Sequence, residues 1–186
     1  LRLTINRNVI VEQVDSLEEL TIIILYSLII SHGIRVDTRL WLVRDQETVY
    51  VLEGYNLRHL YPHKKSLEGF VKKVVMRNRN VPGTKLYPYS VIKYLINEAD
   101  LTIVNSKHIH SINYIHHPLL KIPFKTHYNI VIDFNGNADD TVDHVIVIND
   151  DYIPSFITKA HYLIDVIIGG WVRRHGGIEY YRSIIQ

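Results

Sequence analysis

Residues 16–43 read Ser-Leu-Glu-Glu-Leu-Thr-Ile-Ile-Ile-Leu-Tyr-Ser-Leu-Ile-Ile-Ser-His-Gly-Ile-Arg-Val-Asp-Thr-Arg-Leu-Trp-Leu-Val. Ser16 stands where a helix N-cap belongs, and Glu19 follows three residues later with the spacing of a capping box. The apolar run over 20–30 predicts a buried helix. Its β-branched residues would suit a strand, but the cap and the length favour helix. Gly33 is then the expected C′ glycine that ends it. Residues 38–43 predict a strand, and residues 3–14, alternating imperfectly, predict another before the helix. Strand, helix, strand is the unit of a parallel sheet.

Moving outward, residues 49–53 predict a strand joined to the previous one by the polar hairpin turn 44–48. Residues 66–76 carry apolar side chains at helical spacing, with Lys72 and Lys73 on the outer face. Residues 77–83 predict a loop because Pro82-Gly83 is a strong turn signal. A helix follows over 89–98, then a His-rich, proline-interrupted excursion over about 107–127. Strands are expected over 128–133 and 144–148, with a turn at 135–137 between them and a helix over 155–172. The expected fold is a single α/β domain spanning 1–186: a mostly parallel sheet with helices on both faces. In such sheets ligands bind beyond the carboxyl ends of the strands, which singles out the loops after residues 132 and 148.

Composition bounds the function. The chain has 186 residues, of which 47% are hydrophobic, enough for a sizeable core. It has no cysteine, which excludes disulfides, thiolate zinc sites and a cysteine nucleophile and fits a reducing cytoplasm. The longest apolar run is too short to span a bilayer, so the expected location is inside the cell, away from membranes. A net charge of +2 permits a nucleic-acid partner without demanding one. The histidines His108, His110, His116, His117 and His127 invite a metal reading, but no acidic residue lies among them, so none is expected.

Several segments, in order, resemble the archaeal tRNA pseudouridine N1-methyltransferases of the SPOUT superfamily. Ser31-His32-Gly33-Ile34-Arg35-Val36-Asp37 matches that family's Ser-His-x-Ile-Arg-x-Asp between first helix and second strand. Residues 49–75 follow its layout of strand, Gly-x-x-Leu-Arg/Lys stretch and lysine-bearing helix. Val81-Pro82-Gly83-Thr84 with the helix after it, and Ile130 through the Asn135-Gly136-Asn137 turn, continue the set. No single match is specific, and the order and spacing of the set carry the resemblance. It implies a C-terminal trefoil knot, a homodimer, S-adenosyl-L-methionine as cofactor and a pseudouridine of tRNA as substrate.

On that resemblance the site residues are assigned by chemistry. Methyl transfer to a ring nitrogen needs alignment of nucleophile and methyl group, and help for the nitrogen in losing its proton. Asp37 is the candidate proton acceptor, and Arg35 the candidate for a phosphate or a developing oxyanion. A surface ion pair between the two is the bland alternative. The cofactor set is Asn135, Gly136, Asn149, Asp150, Asp151, Tyr152 and Ile153, with Phe156 and Ile157 against the adenine. Asn, Asp and Gly are also ordinary turn residues. The RNA track is Arg35, Arg39, Arg58, Lys64, Lys65, Lys72, Lys73, Arg77 and Arg79, equally the composition of a solvated helix face.

Three departures from the family fall on these contacts. Ser16-Leu17-Glu18 replaces its Arg-Leu-Asp, the polar pair that the resemblance implies holds the substrate base, so that Glu18 keeps a carboxylate and joins Arg35 and Asp37 as a catalytic candidate while the arginine is lost. The glycines of its last loop are absent, and Pro154 removes an amide donor. The segment before the last helix is shortened. A non-catalytic RNA-binding or assembly protein on the same fold is therefore the alternative expectation.

Overall fold

The computed structural model describes residues 5–12, 16–30, 33–43, 47–58, 60–77, 81–105, 127–132, 145–148 and 150–174. In chain order the elements are β1 (Asn6–Glu12), α1 (Leu17–Leu28), β2 (Ile29–Ile30), β3 (Gly33–Ile34), β4 (Thr38–Val43), β5 (Thr48–Glu53) and α2 (Lys64–Phe70). A π-helical segment (Val71–Val75) continues α2. Then come β6 (Thr84–Pro88), α3 (Ser90–Asn97), β7 (Leu101–Asn105), β8 (His127–Ile132), β9 (Val145–Ile148) and α4 (Ile153–Arg174).

Seven strands form one sheet in the order β6-β5-β4-β1-β8-β7-β9. The block β4-β1-β8-β7-β9 is parallel throughout, whereas β5 runs antiparallel to both β4 and β6. The expected mostly parallel sheet is thus a mixed one with an antiparallel edge, a common variant. Alternation along the strands sorts the side chains between its faces. Val9, Val11, Leu40, Leu42, Ile130 and Ile132 pack with α1, α2, the π segment and α4. Ile10, Trp41, Val49, Val51, Val104 and Val131 pack with α3 on the other side. A buried polar chain crosses that second face. The Trp41 indole donates to Asn8 at 3.0 Å, Asn8 to Asn129 at 3.1 Å, and Asn129 to the Leu95 carbonyl at 2.8 Å. Each group is satisfied, as burial requires. Among the described residues no helix is long and apolar enough to cross a membrane.

Helix α1 starts as expected, with the Ser16 hydroxyl accepting from the Glu19 amide at 3.0 Å. Its end is different. The helix stops at Leu28 because Ile29 turns extended, and Ile29–Ile30 pairs antiparallel with Gly33–Ile34. Gly33 is therefore a strand residue and not the C′ glycine. The β-branched Ile29 and Ile30 prefer this short hairpin to a last helical turn.

Two further corrections concern residues 64–88. The helix begins at Lys64, and from Val71 its hydrogen bonding widens, the Met76 amide donating to the Val71 carbonyl at 3.0 Å, an i+5 bond. The wider turn lets the adjacent Val74 and Val75 both face the core beside Leu67 and Val71. Residues 84–88 then form the edge strand β6, where Pro88 is tolerated at the end. It is entered through Val81-Pro82-Gly83-Thr84. The Val81 carbonyl accepts from Thr84 at 3.0 Å, and Gly83 has φ 87°. A positive φ at the third position after proline is the signature of a type II turn. The strand β7, buried at every position, is a further element with no counterpart among the expected ones. The excursion after it, including His108, His110, His116 and His117, lies outside the described residues, as does the turn at 135–137.

Candidate functional site

The Arg35–Thr38 turn enters β4 at its amino end. The Thr38 amide donates to the Arg35 carbonyl at 3.3 Å, and the Arg35 amide donates to the Leu28 carbonyl at 2.7 Å. Gly54, just beyond β5, lies flat against this turn and donates to the Thr38 carbonyl at 2.9 Å. A Cβ on Gly54 would come within 2.0 Å of the Arg35 carbonyl oxygen, so only glycine fits the turn's flank.

Under this turn lies a residue that the sequence reading did not select. Arg7 is the register partner of Thr38 and shares the face of Val9 and Val11. Its side chain is only 3% exposed. Nη2 meets Asp165 of α4 at 2.6 Å, and Nε lies 2.9 Å from the Asp37 carboxylate. The Nε contact is an ion pair without hydrogen-bond alignment, and Nη1 has no protein partner. Asp37 also accepts from the Thr38 hydroxyl at 3.1 Å. Arg35 belongs to the same group. Burial first, and then Arg7, lower its guanidinium below the ordinary value, while Asp165 and Asp37 oppose them.

Beneath the arginines sits His161 of α4, 1% exposed. Burial first, then Arg35 and Arg7, push its imidazole well below the ordinary value, so it is neutral near pH 7. The Ser27 backbone is close enough to favour the charged form slightly, but neither ring nitrogen makes a hydrogen bond of good geometry. The Ser27 hydroxyl, wholly buried, is also unpartnered. The signal for this cluster was present in the sequence. His161 continues the apolar stripe Ile157, Ile164, Ile168 of α4, and Arg7 interrupts the apolar pattern of β1.

A second group flanks the first. Glu53, 4% exposed at its side chain, accepts from Lys85 at 3.0 Å and from Asn56 at 3.1 Å, with Arg39 at 4.0 Å. Burial raises its carboxyl, but the hydrogen bonds from Lys85, Asn56 and Tyr55 outweigh that and leave it lowered. The Arg39 guanidinium lies 5.7 Å from the ring centre of the half-exposed Tyr55. Arg39 is thus tied down, whereas Arg58, Lys65, Lys72, Lys73 and Arg77 are exposed. Lys64 pairs with Glu18 at 3.1 Å. Arg79 lies outside the described residues.

The expected catalytic trio is not assembled within one chain. Arg35 and Asp37 sit at the amino ends of β1 and β4. Glu18 begins α1 at the opposite end and is exposed. The 12 residues of α1 separate them by about 18 Å at ~1.5 Å per residue.

Of the expected cofactor set, Asn135, Gly136 and Asn149 lie outside the described residues. The rest gather beyond the carboxyl end of β9. Asp151 and Tyr152 are exposed and Ile153 is partly buried against the core. Phe156 and Ile157 are wholly buried in the core between α4 and the sheet, where they hold the helix down and present no surface to an adenine. The Asp150 carboxylate is engaged by Lys159 at 2.6 Å, by the Tyr152 amide at 3.0 Å and by Ser155. These bonds, Lys159 first, hold its carboxyl at about 2. The Asp150 carbonyl accepts from Asn105 at 2.9 Å. Side-chain contacts to a ribose or an adenine from Asp150, Phe156 and Ile157 do not fit this arrangement. It does hold the loop's backbone in one shape.

No family model matches the sequence, and no curated protein matches it. Among solved structures, Archaeoglobus fulgidus Nep1 bound to S-adenosylhomocysteine overlies 72% of this chain at 8% identity, with a TM-score of 0.49. The overlap spans 64% of that chain's length. A likeness of that depth carries nothing beyond itself. Among the described residues no group of three or more histidine and acidic side chains is placed to hold a metal ion.

Proposed function

We propose that this chain is an S-adenosyl-L-methionine-dependent RNA methyltransferase acting on a pseudouridine of tRNA, working as a homodimer with a C-terminal trefoil knot. The reading rests on the ordered sequence resemblance, not on the solved neighbour. The observation that carries it is the fate of Ser-His-Gly-Ile-Arg-Val-Asp: its Arg35 and Asp37 join a charged group built from four elements of the core. The carboxyl-end loop supports a cofactor through backbone groups, with Asp150 and Lys159 fixing its shape. Pairing of two chains agrees with the exposed Tyr26 and Ile30 on the α1 side and Tyr162 on α4. It would also offer a way to bring one chain's carboxyl-end loop to the other's Arg35–Asp37 turn.

The test is titration of the purified chain with S-adenosyl-L-methionine, followed by methyl transfer to pseudouridine-containing tRNA. Saturable binding, with transfer that falls sharply in Asp37→Asn, is the expected result. A second reading, RNA binding without catalysis, is favoured by the internal commitment of Asp150, Phe156 and Ile157. Salt-sensitive tRNA binding with no cofactor affinity would select it over the first.

A further inference from the structure

We infer that the Arg7–Arg35–His161–Ser27 cluster is a binding site for a tetrahedral oxyanion. Groups from four elements meet there: the Arg7 guanidinium of β1 on α4 through Asp165, the Arg35 guanidinium of the turn before β4, the His161 imidazole of α4, and the backbone at Ser27 near the end of α1, whose own buried hydroxyl is unpartnered. Arg7, His161 and Ser27 are each more than nine-tenths buried. Arg7 Nη1, Arg35 Nε and the Ser27 hydroxyl have no protein partner, and the His161 ring, whose one N–H donor has only the poorly aligned Ser27 backbone beside it, makes no hydrogen bond of good geometry. Buried donors left unmatched are costly, and so many in one place call for an acceptor-rich ligand. Donors arriving from four elements suit the spread oxygens of a sulfate or phosphate group better than a planar carboxylate.

The two carboxylates nearby do not defeat this. Asp37 and Asp165 face the Nε and Nη2 side of Arg7, which leaves the Nη1 side and Arg35 for the ligand. With His161 neutral, two arginines balance two aspartates. A dianion opposes the depression of the His161 imidazole and so favours its protonation, since this is the one group there whose ordinary value lies near neutrality. Arg35 and Arg7 face that imidazole with the Ser27 backbone, and Asp165 and Asp37 stand behind the two arginines. Binding is therefore coupled to proton uptake. The site does not depend on methyl transfer, and its failure would leave that reading standing.

The experiment is an NMR titration of the His161 ring proton in the full chain with sodium sulfate, whose charge is constant from about pH 8 to about pH 6. Matched sodium chloride serves as the control. The expected result is a saturable shift specific to sulfate, with affinity rising as pH falls, by at most about tenfold per pH unit for one linked proton. Ser27→Ala removes a hydroxyl that has no protein partner. It should leave folding intact and weaken sulfate by roughly tenfold, the weight of one charge-assisted hydrogen bond. His161→Gln should abolish the pH dependence. A shift no greater than with chloride, or equal sulfate affinity in Ser27→Ala, overturns the site and assigns these donors to internal water. A 5′-phosphorylated oligoribonucleotide that competes with sulfate identifies the oxyanion as a nucleic-acid phosphate, and sulfate binding without competition identifies a free ion.

Discussion

Arg7 on β1 and Asp165 on α4, 158 residues apart in sequence, meet at 2.6 Å. The contact fastens the last helix to the first strand beside the Arg35–Asp37 turn. Asp165 is half exposed, while Asp37 is only 24% exposed on the other side of the same guanidinium. Solvent screens the first pair far more than the second. Asp165→Asn should therefore lower stability by about 1 kcal/mol or less. Asp37→Asn removes the better-shielded carboxylate but leaves Arg7 on Asp165, and should cost about 1–2 kcal/mol, more than Asp165→Asn. Urea unfolding of both variants measures the difference. Equal losses would mean that the two carboxylates share Arg7 evenly.

His161 makes stability depend on pH in a definite direction. Its folded pKa is depressed, so the unfolded chain binds the proton more readily. Stability is complete above the unfolded value of about 6.5 and falls as pH drops below it. The slope approaches about 1.4 kcal/mol per pH unit in that window. His161→Leu should flatten the slope between about pH 6.5 and about pH 5. Thermal unfolding across the range, in the absence of sulfate and phosphate, provides the measurement. An unchanged slope would place the titrating group elsewhere.

Four strands of the parallel block, β4, β1, β8 and β9, were legible because their signals are local, whereas β7 within the same block was not. Ser16 caps α1, and Val145–Ile148 is a short apolar run between polar stretches. The ends of elements were less legible. Ile29 and Ile30 suit helix or strand equally, and only pairing with Gly33–Ile34 decides between them. The edge strand β6 is short, largely exposed and ends in proline, so nothing in Thr84–Pro88 marks it apart from its pairing with β5. For the site, sequence proximity selected Arg35 and Asp37 but could not supply Arg7, His161 and Asp165, which arrive through parallel pairing and helix packing. It also placed Glu18 with them, although α1 holds it at the opposite end.

Two glycines separate shape from propensity. Gly54→Ala would drive a Cβ to 2.0 Å from the Arg35 carbonyl and 2.8 Å from the Thr38 carbonyl, both backbone atoms that cannot swing away. A loss of about 3 kcal/mol or more is expected, with a displaced Arg35–Thr38 turn. Gly69 in α2 has nothing within 4 Å of the added methyl. Gly69→Ala should stabilise by about 0.5–1 kcal/mol through helix propensity alone. Chemical denaturation ranks the pair. If Gly54→Ala is tolerated, the turn against which Arg35 is held is softer than its geometry indicates.

The loop beyond β9 carries the last prediction. Asp150 accepts from Lys159, Ser155 and the Tyr152 amide, and its carboxyl is lowered to about 2 from an ordinary 3.8. A depressed folded pKa adds stability that is present above the unfolded value and is lost as pH falls toward the folded one. The Asp150 contribution should therefore disappear between about pH 4 and about pH 2, well below the His161 window. Asp150→Asn should remove that acid limb while leaving the slope near neutrality unchanged. It keeps a side-chain oxygen for the Tyr152 amide but releases Lys159. If the loop's fixed backbone is what receives a cofactor, Asp150→Asn should also weaken S-adenosyl-L-methionine binding several-fold without any direct contact to the ligand. Acid unfolding monitored by circular dichroism, with cofactor titration of the same variant, tests both. Weakened cofactor binding with an unaltered acid limb would instead assign the Asp150 carboxylate to the ligand and not to Lys159.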